Sequence, residues 1–341
     1  MKSRQIIDQY KRPLRDLRVS VTDRCNFRCP YCMPAEIYGE RYQFLPRNDL
    51  LTFEEITNVV EACVELGVRK IRLTGGEPLV RQDVHQLIAM LASIDGIDDI
   101  AMTTNAYLLA GMAQTLKDAG LNRITVSMDS LDDDVFQKMN GRGFSTAKVI
   151  DGISAAKDAG LVPIKINAVV QKGVNDKSVI DLARWCRESG YIPRFIEYMD
   201  VGNLNNWKLE EVVPAQAIVE LIGNVFPVEP IQSSYAGEVA KRFKYKDGKG
   251  EFGVISSVTQ PFCGDCTRMR LSPEGQAVTC LFAEKGTDLR TPLRNGAGKT
   301  ELMELIQNIW RVREDKYSEK RTEMTDTRQK VEMYQIGCLL E

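Results

Sequence analysis

Histidine is almost absent from this 341-residue chain, which has one, His85. That scarcity excludes imidazole-rich metal centres and catalytic constellations built on several histidines. Net charge is nearly absent too: 45 Lys and Arg against 47 Asp and Glu leave a formal charge of -2. No global basic field of the kind that dominates nucleic-acid binding surrounds such a molecule, so any anion site must be local. Long hydrophobic runs are missing as well. No stretch approaches the roughly 18 apolar residues of a membrane span, and residues 1–18 are polar and charged, without the apolar core of a signal peptide. The expectation is a soluble, cytoplasmic protein with neither nucleic acid nor membrane as partner.

Cysteine, by contrast, is plentiful. There are nine, an odd number in a long chain without a secretory signal, which argues for a reducing compartment and for metal or catalytic roles. Cys63 falls on the apolar stripe Ile56, Val59, Val60, Cys63 of an expected helix, and Cys186 sits beside Leu182 and Ala183; both read as core thiols. Six others form two sets. Cys25-Asn26-Phe27-Arg28-Cys29-Pro30-Tyr31-Cys32 places three thiolates in one tight loop and supplies no fourth ligand. A structural zinc site closes its tetrahedron with four protein ligands, so a [4Fe-4S] cluster with one iron left open fits the count better. Cys263, Cys266 and Cys280 repeat the arithmetic. A mixed zinc site of Cys29, Cys32, Cys263 and Cys266 is the alternative, and it strands Cys25 and Cys280.

Short β-rich runs at 17–21, 70–74, 100–104, 123–128, 164–170 and 194–199 alternate with helical patterns. One of these, from Thr52, opens on a Thr-x-x-Glu capping box. Six βα repeats predict an α/β protein whose parallel sheet curls into a partial (βα)6 TIM-like barrel, with active residues at the C-terminal strand ends. The pattern changes afterwards, and the chain is divided near residue 225. The core is 1–225; 226–341 holds the second cysteine set, irregular or antiparallel structure over 233–259, two short strands, a helix from about 296 to 310, and a charged segment, 311–330, expected to be mobile. On several strands the charges alternate with apolar residues: Lys70 and Arg72 share one face and Ile71 and Leu73 the other, and Arg268 and Arg270 are likewise set off from Met269 and Leu271. Cations turned into a lumen are costly unless an anion meets them. A triphosphate would do so, making Arg18, Arg72, Lys165, Arg268 and Arg270 candidate anchors, with Lys70 and Arg194 weaker ones; pairing with lumen acids such as Asp129 or Glu197 is the bland alternative. The run Asn295-Gly296-Ala297-Gly298-Lys299-Thr300 ends like a P-loop, but Leu293 stands where a glycine is needed and no clear strand leads into it, so it reads as a helix start.

The C-x3-C-x2-C run after a strand resembles the signature of radical S-adenosylmethionine (SAM) enzymes. Taken with Thr74-Gly75-Gly76-Glu77-Pro78, the C-x2-C-x13-C of Cys263 to Cys280, and Cys266-Thr267-Arg268-Met269-Arg270-Leu271, the chain from about 10 to 295 is similar to the GTP 3',8-cyclases of molybdenum cofactor biosynthesis. The resemblance implies a radical SAM-type barrel with a C-terminal extension carrying a second Fe-S cluster. It implies two [4Fe-4S] clusters, on Cys25, Cys29 and Cys32 and on Cys263, Cys266 and Cys280, with SAM as cofactor. It implies SAM contacts at Tyr31, Gly76, Ser127 and Met199, and adds Thr103 and Met269 to the GTP set. The implied reaction is cyclisation of GTP to (8S)-3',8-cyclo-7,8-dihydroguanosine 5'-triphosphate, started by a 5'-deoxyadenosyl radical. An external electron donor is implied as partner, and a homodimer is left open. The rival readings are a radical SAM enzyme acting on a peptide or other small molecule, and a non-enzymatic zinc module. Family members end in two consecutive glycines, whereas this chain ends Gly337-Cys338-Leu339-Leu340-Glu341, a departure expected to reduce activity.

Overall fold

The structure is a computed structural model describing residues 5–202, 206–235 and 237–324; the expectations for the tail from Gly337 to Glu341 lie outside the described residues. In chain order the strands are β1 (Asp16–Ser20), β2 (Lys70–Thr74), β3 (Asp99–Thr104), β4 (Arg123–Ser127), β5 (Lys165–Val170) and β6 (Ile192–Glu197). They are followed by β7 (Val228–Ile231), β8 (Lys241–Tyr245), β9 (Glu251–Ile255), β10 (Arg268–Leu271), β11 (Gln276–Val278) and β12 (Thr287–Asp288). The helices are α1 (Phe53–Glu65), α2 (Val84–Ala92), α3 (Ala113–Asp118), α4 (Asp133–Asn140), α5 (Ala147–Asp158), α6 (Val179–Ser189), α7 (Ala215–Val225), α8 (Arg290–Arg294), α9 (Lys299–Arg311) and α10 (Tyr317–Met324).

All twelve strands join one sheet, ordered β12-β11-β10-β1-β2-β3-β4-β5-β6-β9-β8-β7. β1 to β6 pair in parallel, as their crossover helices require. The strands after residue 225 do not form a sheet of their own: β9 adds in parallel to β6 and β10 to β1, and antiparallel hairpins finish both edges. Side chains from seven strands, Arg18, Arg72, Ala101, Arg123, Lys165, Arg194 and Arg268, line one cavity of about 590 Å³. A flat sheet cannot bring them together, so the sheet wraps around a lumen, as the barrel expectation held.

Parallel sheets ordinarily bury apolar residues on both faces. Here the outer face does so throughout, whereas the inner face is mixed, carrying the cations together with buried apolar residues such as Val169 and Ile196. Leu17, Val19, Ile71, Leu73, Ile124, Val126 and Ile166 are fully or almost fully buried in the main core, where burying one such side chain contributes about 1.5–3 kcal/mol. α1 shows how the sequence sets a covering helix. Glu55 N donates to Thr52 Oγ1 (3.1 Å) and Thr52 N to Glu55 Oε2 (2.8 Å), closing the capping box, and Ile56, Val59, Val60 and Cys63 turn inward at 0–1% exposure. α9 packs on it through Leu302, Ile306 and Trp310. Lys299, the P-loop-like lysine, points to α1 and pairs with Glu65 (3.2 Å) and Glu61 (3.6 Å).

Candidate active site

The C-terminal strand ends surround a cavity of about 660 Å³ lined by Cys25, Cys29 and Cys32, with Tyr31, Gly76, Asn105, Ser127, Asp129 and Asn167. The cysteine loop is held by its own arginine. Arg28, 6% exposed, donates from Nε to the Tyr38 carbonyl (2.6 Å) and from Nη1 to those of Cys25 (2.7 Å) and Phe27 (2.6 Å). The loop is also stitched to the glycine run: Gly76 N donates to Thr22 O (2.7 Å) and Glu77 N to Arg24 O (2.8 Å). A Cβ on Gly76 would lie 2.4 Å from the Arg24 carbonyl oxygen, so glycine serves first to let two backbones meet and only then to leave space for a ligand.

Glu77 is fully buried and accepts from Leu79 N (3.0 Å), Thr104 Oγ1 (2.6 Å) and Asn105 N (2.7 Å). Burial outweighs these donors and lifts its carboxyl to about 7. Asp129 accepts from the Tyr31 hydroxyl (2.7 Å) and Val169 N (2.9 Å); burial lifts it to about 6 and pushes Tyr31 well above the usual phenol range. Tyr31 thus presents its ring to the cavity with its hydroxyl tied down. Asn105 was missed by sequence reasoning: its amide donates to Asn26 Oδ1 (2.7 Å) and approaches Cys25 Sγ (3.9 Å), a contact that only the fold creates.

A second cavity, about 510 Å³, is lined by Cys263, Cys266 and Cys280 together with Arg12, Arg268, Arg270, Arg313 and Met199. Each triad therefore has its own cavity, which corrects the mixed zinc alternative. Both flank one apolar cluster containing Tyr31, Ile196 and Met199, against which Cys29, Cys32 and Cys280 pack. Met199, expected beside SAM, lines the second cavity and not the first, because the chain leaves β6 toward the second cysteine set. Arg12 Nη1 donates to the Cys263 carbonyl (2.7 Å) and Arg313 Nη1 to that of Cys266 (2.8 Å). Gly264, between two of these cysteines, has a φ outside the left-handed region and a Cβ there would meet little; its N–H donates to Glu319 Oε1 (3.1 Å).

The segment expected to be mobile is partly anchored. Tyr317 stacks on Phe282 with centroids 4.4 Å apart and donates to Asp200 (2.7 Å), and Arg321 Nε donates to the same carboxylate (2.8 Å). Arg313, Tyr317 and Arg321 are all buried.

The donor chemistry suits iron-sulfur groups. Burial, then the Glu77 charge, pushes the Cys25 thiol up to about 12; burial, then Asp315, does the same to Cys280. Cys266 feels the same burial, but Arg268 and Arg313 bring it down to about 6. Thiolates at the first two positions need a compensating cationic group, which a cluster's iron supplies.

The basic cavity extends the lumen toward the opposite mouth. Asp16, Lys70, Asp99, Arg123, Lys165 and Arg268 are each the first residue of their strands, so cations lie at the N-terminal strand ends; Cys25, Cys29 and Cys32 lie at the C-terminal ends, whereas Cys263 and Cys266 directly precede β10 and Cys280 follows the antiparallel β11, on the N-terminal side. Arg18, Arg72, Lys165 and Arg268, with Lys70 and Arg194, all line it; Arg270 lines the second cysteine cavity, and Arg268 lines both. Thr103 accepts from Arg72 Nη1 (3.0 Å) and so reaches the cavity through it. The Met269 side chain is fully buried in the core and faces away from Arg268 and Arg270, as strand alternation demands, which leaves its backbone as the part near them. Arg194 Nε donates to Asn167 Oδ1 (2.9 Å), linking the basic cavity to the first one. The acids facing these cations are Asp16, Asp99 and Glu238. Asp129 and Glu197 are committed elsewhere, Glu197 to the backbone N–H groups of Ala215 (2.7 Å), Val258 (2.7 Å) and Thr259 (2.8 Å).

A curled parallel sheet with a C-x3-C-x2-C loop at its C-terminal mouth defines a radical SAM protein, and residues 19–186 match the Radical SAM superfamily. The fold is shared with SuiB of Streptococcus suis bound to S-adenosylmethionine (TM-score 0.59, 15% identity, 80% of this chain and 62% of that one). It is shared too with anSMEcpe bound to AdoMet and a peptide (TM-score 0.58, 14% identity, 94% and 93%). Residues 192–319 match Molybdenum Cofactor Synthesis C. The chain is 54% identical over 320 residues to the GTP 3',8-cyclase of Acidothermus cellulolyticus (93% of this chain, 88% of that one). It is 48% identical over 337 residues to that of Staphylococcus haemolyticus (98% and 99%). The chain belongs to the GTP 3',8-cyclase family.

Proposed function

We propose that this chain converts GTP to (8S)-3',8-cyclo-7,8-dihydroguanosine 5'-triphosphate in molybdenum cofactor biosynthesis, with one [4Fe-4S] cluster on Cys25, Cys29 and Cys32 and a second on Cys263, Cys266 and Cys280. The observation that carries this reading is a basic cavity that meets one cysteine-lined cavity through Arg194 and Asn167 and the other through Arg268. Cys25, Cys29 and Cys32 would hold the cluster against SAM, and the pair would supply the one-electron radical chemistry that starts the cyclisation.

The chain's own share is binding, orientation and exclusion of water. Gly76, Ser127 and the ring of Tyr31 form the wall on which SAM would lie. Arg18, Arg72, Lys165 and Arg268, with Lys70 and Arg194, would take the triphosphate, arginine by paired hydrogen bonds and lysine as a point charge. Thr103 fixes Arg72 for that task. Arg270 and Met199, with the second triad, would receive the guanine end. This orientation aims the ribose at the first cavity.

No helix among the described residues is long and apolar enough to cross a membrane, and the eight described cysteines are all free thiols. Both features support a cytoplasmic setting, where an external donor supplies the electron. The test is 5'-deoxyadenosine formed anaerobically by the reconstituted, reduced protein with SAM, with and without GTP. Strong stimulation by GTP is expected; formation indifferent to GTP would move the substrate elsewhere.

A further inference from the structure

Reading Cys25, Cys29 and Cys32 as cluster ligands, on which the following rests, requires one electron from an outside donor. Electron transfer weakens steeply with distance through protein, so the donor must dock where that loop is backed by a thin, packed wall. One face meets this condition. Phe27 and Phe136 line the first cavity, and behind Phe27 stand Phe144 and Tyr107, both half-buried at the surface. The Phe27 and Phe144 centroids are 5.6 Å apart, and Phe144 stacks on Tyr107 at 4.4 Å. Two aromatic layers therefore separate the cavity from solvent.

The surface loop between α4 and α5 is bonded directly to the cysteine loop. Asn140, 1% exposed, accepts from Arg28 N at its carbonyl (2.8 Å), donates from Nδ2 to Phe144 O (2.8 Å) and accepts from Arg142 N at Oδ1 (2.9 Å). Gly141, at φ +61°, approaches so closely that a Cβ would lie 2.1 Å from Arg28 O. Outside, Leu108 is 39% exposed, and Lys138 on α4, Arg142 in the loop and Lys148 on α5 are exposed, with Lys148 Nζ 4.7 Å above the Tyr107 ring. Asp133 at the base of the loop is occupied by Thr146 N (2.7 Å); Asp134, Asp151 and Asp158 are the other exposed acids of the flanking helices, with Asp132 at the α4 N-cap.

We propose that the Tyr107, Leu108 and Phe144 patch with its rim of Lys138, Arg142 and Lys148 is the docking face for the electron donor, a small acidic protein carrying a flavin or iron-sulfur centre. An apolar centre with a cationic rim suits a negatively charged partner, the charges guiding encounter and the aromatics filling the contact. One electron leaves the donor's reduced centre, which is oxidised, and enters the cluster at Cys25, Cys29 and Cys32, which is reduced. No bond changes hands.

The test uses the full reconstituted chain, its R142E/K148E variant, and a K246E/K249E variant altered at the β8–β9 turn. Each is reduced anaerobically by photoreduced flavodoxin, as an acidic flavoprotein probe, or by dithionite. For R142E/K148E the second-order rate with flavodoxin should fall about tenfold or more at low salt and lose its salt dependence, while dithionite-driven, GTP-dependent 5'-deoxyadenosine formation stays at the parent level. An unchanged flavodoxin rate overturns the proposal. So does an equal fall with dithionite, or a fall shared by K246E/K249E. Failure of the parent chain to make 5'-deoxyadenosine with dithionite would instead remove the reaction reading, and this face with it.

Discussion

Substituting Gly76→Ala should damage the first triad through backbone displacement. The added Cβ would sit 2.4 Å from the Arg24 carbonyl oxygen, 2.6 Å from its carbon and 3.0 Å from the Asp23 oxygen, where ordinary contact begins at 3.4 Å. The two segments must therefore part by about 1 Å, and no flexible side-chain end is available to yield. Two hydrogen bonds cross the contact, Gly76 N to Thr22 O (2.7 Å) and Glu77 N to Arg24 O (2.8 Å). Overpacking of this kind costs about 1–3 kcal/mol, and stretching the two bonds adds about 1 kcal/mol, for a loss of about 2–4 kcal/mol. Because Arg24 precedes Cys25, the displacement also moves the first thiolate.

The assay is urea unfolding of the metal-free protein, with iron and sulfide content after reconstitution in a background where Cys263, Cys266 and Cys280 are alanine. Gly111→Ala is the control, since nothing lies within 4 Å of the Cβ it would add, and it should change stability by less than about 0.5 kcal/mol. Gly76→Ala with parent stability and full iron loading would refute the reasoning.

Lys299→Ala should leave GTP-dependent 5'-deoxyadenosine formation unchanged and cost no more than about 1 kcal/mol, the range of exposed ion pairs such as those to Glu61 and Glu65; a nucleotide role would show as a raised KM for GTP. Glu77 carries a pH signature in the metal-free protein. Its folded value, about 7, lies above the ordinary 4.5, so the folded state holds the proton more tightly, and the stability this confers is complete below about pH 4.5 and lost as pH rises through 7. The span is about 3 kcal/mol, and Glu77→Gln should show a smaller fall in unfolding free energy over that window than the parent; parallel curves would contradict the assignment. Asp200→Asn removes the charge that Tyr317 and Arg321 share, and should loosen α10, seen as faster amide exchange over 317–321 and lower iron retention at the second triad alone. Equal loss at both triads would count against a local role.

Both cysteine triads and the lumen cations were legible because their signals are local: ligand spacing in one loop, and alternation of charged with apolar residues along single strands. The same alternation places the Met269 side chain with Leu271 in the core. Less legible was everything decided by pairing between distant segments. Nothing in 251–255 or 268–271 states that β9 will lie beside β6 and β10 beside β1, because register is settled by which apolar faces can be buried together. That pairing carries Arg268 into the lumen, and the return of the chain after β6 carries Met199 to the second cavity.

The most consequential residues that sequence reasoning passed over are arginines and asparagines that bond to carbonyl oxygens. Arg28 sits between two cysteines and reads as a solvated loop cation, yet it is 6% exposed and holds three carbonyls. Arg12 and Arg313 lie about three hundred residues apart, and each holds a carbonyl of the second cysteine loop. Such roles leave no compositional trace, since a guanidinium satisfied by backbone oxygens needs no acidic residue nearby in sequence. A loop whose thiolates must present themselves to a metal cluster cannot spend its own backbone on regular structure, so its carbonyls have to be met by donors from outside. Wherever three thiolates crowd one loop, a buried arginine from that loop or from a distant segment is therefore the partner to look for.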